Sequence, residues 1–241
     1  MRQNNSFLKT LDKAEKKIDL MSEQIKNVRF LYDSGKMDEA YEKAMQLEET
    51  SEKAVLLTRV LPAYTGKPQA CLEIENIIKI CTPVEIGFTF EGWFSVRIPA
   101  LLPKKIAGSA DYIRSILYPA MYDFFKTAPP VRYTDCVLIY RHVYDKNRSD
   151  RKKRDHDNIE VNMASDIVAL YVMPDDGPEI CTHYYCSAQG CSDRTEIYVI
   201  PKKDFILWLS LEKTMPDEGV KLYETPFFAQ EKRVYKTKIF G

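Results

Sequence analysis

No uninterrupted apolar stretch of about 18 residues, the length a helix needs to cross a bilayer, occurs in the sequence. The first residues, MRQNNSFLKT, lack the apolar run and small-residue cleavage site of an export signal, so a cytoplasmic protein is expected. Net charge is missing as well. Lys plus Arg and Asp plus Glu number 35 each, so no overall field draws the chain to nucleic acid or to an anionic membrane. Any recognition of a polyanion must come from local charge. Six cysteines, Cys71, Cys81, Cys136, Cys181, Cys186 and Cys191, are too few for a disulfide scaffold in 241 residues and read as free thiols. The last three recur every five residues with His183 among them, but without a Cys-x-x-Cys pair structural zinc is not expected. Internal repeats and low-complexity segments are absent too.

With 45% hydrophobic residues in 241, the chain can bury a sizeable core, and its length suits one domain with additions or two small ones. Phe7, Leu11, Ala14, Ile18, Met21, Ile25, Val28 and Tyr32 follow an alternating four-three spacing that puts one apolar stripe down a helix. Asp33-Ser34-Gly35 breaks it. Ala40, Ala44, Leu47, Ser51, Ala54, Thr58 and Leu61 repeat the spacing until Pro62, so residues 1–62 read as an antiparallel helical hairpin. Each stripe can cover the other, or part can pair with a protein partner or a second copy. Residues 63–82 read as a linker.

From Pro83 the period changes. Val84, Ile86, Phe88 and Phe90 alternate with polar residues and Gly87, and WFSVRIP returns after Glu91-Gly92, which predicts a β-hairpin. Ser109 is a suitable N-cap for a helix reaching about Lys126. YTDCVLIYRHVY, residues 133–144, is β-branched and aromatic enough for a third, central strand. A helix over about 158–172 and strands over about 179–186 and 194–200 complete a domain spanning 83–201. The expected class is α+β, with a mixed sheet in the order β-β-α-β-α-β-β. In the extension 202–241, KKDFILWLSLEK fits helix or strand, and KRVYKTKIF suits an edge strand defended by lysines.

The densest polar constellation is DKNRSDRKKRDHD, residues 145–157. Lys146, Arg148, Arg151, Lys152, Lys153 and Arg154 lead directly into Asp155 and Asp157, which makes them candidates for binding a phosphate backbone. The aspartates also have plain structural readings. Asp157 and Glu160 have capping-box spacing, and Pro174-Asp175-Asp176-Gly177 is a turn signal. Taken together, a strand, helix and return turn would crowd Asp155, Asp157, Asp175 and Asp176 at one end of the sheet. Two such charges about 4 Å apart repel by about 4 kcal/mol at an effective dielectric of about 20, and a divalent cation relieves that repulsion. Carboxylates with Asn158 and water are hard ligands, which favour Mg²⁺ or Mn²⁺.

The run SDRKKRDHDNIEVNMASDIVALYVMPDDGPEICTHYYCSAQGCSDRTEIYVIP, residues 149–201, resembles the core of the RusA-type Holliday-junction resolvases. A basic stretch, Asp-x-Asp-Asn, a helix, Asp-Asp and two closing strands carry the resemblance. With the upstream hairpin, helix and strand it covers roughly half the chain, a typical small-domain length. It implies a Mg²⁺-dependent homodimer that nicks branched DNA, with Asp155, Asp157 and Asp176 as catalytic metal-site aspartates and Asp175 their neighbour. One departure stands out. The family's catalytic lysine, four residues after the second aspartate, is Val161 here. Lys152, Lys153 or Arg154 would have to substitute, or the chain binds branched DNA, or serves as an accessory in replication or recombination, without turning it over.

Overall fold

The computed structural model describes residues 2–106, 108–147 and 156–226, in two compact units, Met1–Ile77 and Ile78–Gly241. The first is helical. Helices α1 (Arg2–Asp33) and α2 (Met37–Val60) pack along their length. Gly35 turns the chain between them at φ 74°, a left-handed conformation that glycine adopts without steric cost. Backbone bonds from Ser34 to Phe30 and from Lys36 to Leu31 close the end of α1. The buried residues of α2 are Ala40, Thr50 and Ala54, small side chains that let helix axes approach closely. Pro62 opens a short 3-10 turn after α2, consistent with its inability to continue a helix.

The stretch expected as a linker instead carries helix α3 (Ala70–Cys81). Its sequence, ACLEIENIIKIC, is apolar on several faces, and burial falls on Ala70 and Ile78 while Leu72, Ile77 and Ile80 are exposed.

The second unit is α+β around a mixed sheet of five strands. Strands β1 (Glu85–Phe88), β2 (Phe94–Ile98), β3 (Cys136–Asp145), β4 (Cys181–Gly190) and β5 (Arg194–Pro201) lie in the order β1-β2-β5-β3-β4. Only β3 and β4 run parallel, in register from Cys136 opposite Cys181 to Asp145 opposite Gly190. Helix α4 (Ser109–Phe125) links β2 to β3, and α5 (Asn162–Val172) links β3 to β4. Strand β3 has neighbours on both edges and is buried along nearly its whole length, which explains why its sequence does not alternate.

Alternate residues of β3 serve two cores. Leu138 and Tyr140 join Phe94, Val199, Leu117 of α4 and Val168 of α5 on one face. Val137 and Ile139 join Trp93, Tyr198 and Trp208 on the other. Trp208 belongs to α6 (Phe205–Glu212), which resolves the helix-or-strand ambiguity of KKDFILWLSLEK in favour of helix. The expected edge strand KRVYKTKIF lies outside the described residues. Among the described residues, no helix is long and apolar enough to cross a membrane.

Three local expectations change. Phe90 is 61% exposed, because β1 ends at Phe88 and Phe90 falls in the turn rather than on the strand's inner face. Helix α4 is capped by Gly108 at φ 94°, while Ser109 Oγ donates to Ile106 O at 2.6 Å and closes the preceding loop. Helix α5 starts at Asn162 after Val161, not near residue 158, because residues 158–160 are drawn out along the 103–105 loop. Asn158 O accepts from Lys105 at 2.7 Å and Pro103 O from Glu160 at 2.9 Å.

Candidate functional site

The connection from β3 to α5 holds the candidate residues, and its start is well anchored. Asp145 N donates to Asp193 Oδ1 at 2.8 Å, Asn147 N to Asp145 Oδ1 at 2.7 Å, and Lys146 N to Gly190 O at 3.0 Å. The Lys146 side chain pairs with Asp217. That partner raises the lysine's pKa and lowers the aspartate's, so Lys146 already has a counter-ion in the chain itself. Arg148, Arg151, Lys152, Lys153, Arg154 and Asp155 lie outside the described residues.

The chain resumes in a 3-10 turn, His156–Asn158. His156 Nε2 lies 2.9 Å from Ser187 Oγ, and its ring is 5.7 Å from that of His142 and 6.0 Å from that of Tyr185. Asp157 is exposed beside it. The expected capping box is not formed. Val161 occupies the N-cap position without a side-chain cap bond, and Glu160 Oε1 accepts weakly from Met163 N at 3.4 Å. Val161 is itself 8% exposed and part of the main core, and its carbonyl accepts from Tyr140 Oη at 3.2 Å.

Asp175 and Asp176 sit in the turn between α5 and β4, where Asp175 Oδ1 accepts from Asp176 N at 2.9 Å. Asp157 lies in the connection from β3 to α5. His156 meets Ser187 of β4, and Asp176 precedes the start of the same strand at Cys181. The electrostatic neighbours of Asp176 are Asp166 and His183. Asp155 lies outside the described residues, and Asp166 feels the charges of both Asp176 and Glu160, the latter three residues after Asp157. Among those residues no three His, Cys, Asp or Glu side chains are grouped to hold a metal ion.

Sequence reasoning missed the groups around Asp176. Partial burial, then the charges of Asp176 and Glu160, raise the pKa of Asp166. Below them Cys136 and Cys181 face each other across the parallel pair. The bond from Cys136 and the nearby His183 hold the Cys181 thiol well below its ordinary range, and the same thiol raises the pKa of His183, with Asp176 adding to the effect. The visible signal for Asp166 was a carboxylate ten residues before Asp176 on a helix otherwise rich in apolar side chains.

On the opposite face, Glu196 is fully buried between two cations. Arg141 Nη1 donates to Oε2 at 2.8 Å, Arg194 Nε to Oε1 at 2.7 Å, and Tyr198 Oη to Oε2 at 2.9 Å. Burial alone would raise its pKa, but Arg141 and Arg194 outweigh that and hold it below the usual range. A cavity of about 200 Å³ lies near this network, lined by Arg97, Arg194, Glu85 and Glu218 among others, and it includes none of the candidate aspartates.

No curated protein and no solved structure matches the chain. A family profile matches residues 2–225, thus both units, and carries no link to the RusA-type resolvases. The chain belongs to that family, DUF6100, a family of unknown function.

Proposed function

We propose that the sheet unit is a RusA-like domain that acts on branched DNA as a Mg²⁺-dependent, structure-selective endonuclease. One observation carries the reading. The basic run and Asp-x-Asp-Asn leave an interior strand, a helix follows, and Asp175-Asp176 lead into the parallel neighbour of that strand, within the element order β-β-α-β-α-β-β. Arg148, Arg151, Lys152, Lys153 and Arg154 would hold the phosphate backbone in register. Asp155, Asp157, Asp175 and Asp176 are the proposed metal ligands. Their fit to Mg²⁺ rests on donor type, hard carboxylate oxygens. It also rests on Asp166, where burial and the like charges of Asp176 and Glu160 disfavour ionisation in a way a cation would relieve. When bound, the ion would polarise a phosphoryl oxygen and lower the pKa of an attacking water.

A second reading, recognition of branched DNA without cleavage, is favoured by Val161. The family's catalytic cation is replaced by a side chain buried in the core, and no rotamer change turns valine into a charge near a phosphate. Incubation with synthetic four-way, flap and linear DNA separates the two. The first reading expects Mg²⁺-dependent nicking of the four-way junction, abolished by Asp155→Asn and Asp157→Asn. Binding of the junction without nicking selects the second. Neither binding nor nicking rejects both.

A further inference from the structure

Helix α1 carries two seams rather than one. Phe7, Ala14, Met21 and Val28 repeat every seven residues and are buried or half-buried on the side that α2 covers. A second seam stands open. Leu8 is 52% exposed, Leu11 41%, Ile18 55%, Ile25 46% and Tyr32 62%. With Glu15, Ser22 and Arg29, these five occupy positions spaced alternately three and four residues apart, the period of a coiled-coil contact line. From Leu8 to Tyr32 the line is about 36 Å long at about 1.5 Å per residue.

We propose that this open seam of α1 pairs with the same seam of a second copy of the chain, the two helices running antiparallel. The charges within the seam choose both occupant and direction. Its only ionised residues are Glu15 and Arg29, one of each sign, placed toward opposite ends, and both are exposed. In the antiparallel alignment that overlaps the whole seam, Leu8 stands opposite the partner's Tyr32 and Ile18 opposite the partner's Ser22. Glu15 then lies four residues, about 6 Å along the axis, from the level of the partner's Arg29, within reach of two long side chains. The like charges fall farther apart, about 15 Å for the two glutamates. A parallel pair would instead set Glu15 against Glu15 and Arg29 against Arg29 at the same level, which is unfavourable. The seam is thus complementary to itself in one direction only.

The test uses the full chain, with mass measured by sedimentation over a concentration series and helicity by circular dichroism. A dimer is expected, and Ile18→Asp with Ile25→Asp should give a monomer of unchanged helicity. Glu15→Arg alone and Arg29→Glu alone should each weaken dimerisation roughly tenfold, and the two together should restore it. Both positions are solvent-exposed, so the exchange remains informative if the aspartate variant fails to fold. A monomeric chain at every concentration overturns the proposal. So does a dimer indifferent to Ile18→Asp and Ile25→Asp, or a double charge exchange that rescues nothing.

Discussion

The two units differ in where they put their large apolar side chains. In the sheet unit Trp93, Trp208, Tyr140, Tyr144, Tyr198, Phe88 and Phe94 are essentially inaccessible. In the helical unit the buried side chains are small, Ala14, Ala40, Thr50, Ala54 and Ala70, while Leu8, Leu11, Ile18, Phe30 and Tyr32 face outward. Burying an apolar side chain contributes about 1.5–3 kcal/mol, so the sheet unit gains most from its core, whereas the helical unit leaves much of its apolar surface exposed. The contrast extends to charge. In the sheet unit the buried Glu196 is ion-paired with Arg141 and Arg194, whereas Glu15 and Arg29 lie open on the helical unit.

The sharpest way to break this contrast is to remove a large core side chain. Trp208, packed edge-on against Tyr184 and Tyr198, anchors α6, and Trp208→Ala should cost about 4 kcal/mol in a denaturant titration. A loss below about 1 kcal/mol would mean that α6 contributes little to the core. Next, Glu196→Ala strands Arg141 and Arg194 and should cost about 3 kcal/mol at neutral pH.

Its pH dependence follows from the direction of the shift. The folded pKa of Glu196 lies below its unfolded value, so its stabilisation is complete above the unfolded pKa of about 4.3 and is lost as pH falls through the folded one. The wild type should therefore have a steeper acid limb than Glu196→Ala. Parallel limbs would show that the network does not depend on the carboxylate's charge.

In the helical unit the sensitive positions are the small ones. Ala54→Leu inserts bulk into a buried site of α2 and should destabilise by about 2 kcal/mol, although leucine is an excellent helix former. The smallest expected effect is at Asp166. Its folded pKa is raised, so it opposes folding above that pKa and ceases to do so as pH falls toward the ordinary aspartate value. Asp166→Asn should raise stability at neutral pH by a few tenths of a kcal/mol, solvent screening limiting the gain, and should flatten the profile just above the carboxylate range. A destabilised variant would mean that Asp166 is held by a favourable partner.

Much of this contrast was legible in the residues. The two helices around Gly35, the stop at Pro62, the hairpin after Pro83 and the order of later strands follow from period and turn chemistry, which are local. Helix α3 was not legible, because its outward-facing Leu72, Ile77 and Ile80 blur the amphipathic signal. The continuous apolar run of α6 gives little periodic signal, and the helix packs through Trp208 against Tyr198, with Phe205 and Leu211 beside it.

The site was less legible than the fold for a related reason. Acids distant in sequence were expected to meet, and which carboxylates approach depends on the β3–β4 register and on where α5 begins. That register pairs Ser187 with His142, near which His156 lies, and Cys181 with Cys136. Asp166 and the Arg141–Glu196 pair become visible only once helix and strands are in place.

The most direct test of the central claim is the binding of a fluorescent four-way junction to the full chain, followed by anisotropy across a salt series. About five phosphate contacts from the β3–α5 connection give a log-log slope of about −4.5, reduced to about −1 when Arg151, Lys152, Lys153 and Arg154 are neutralised. Absence of binding at low salt, or a slope and affinity indifferent to those four substitutions, would contradict a role for this connection in recognising DNA.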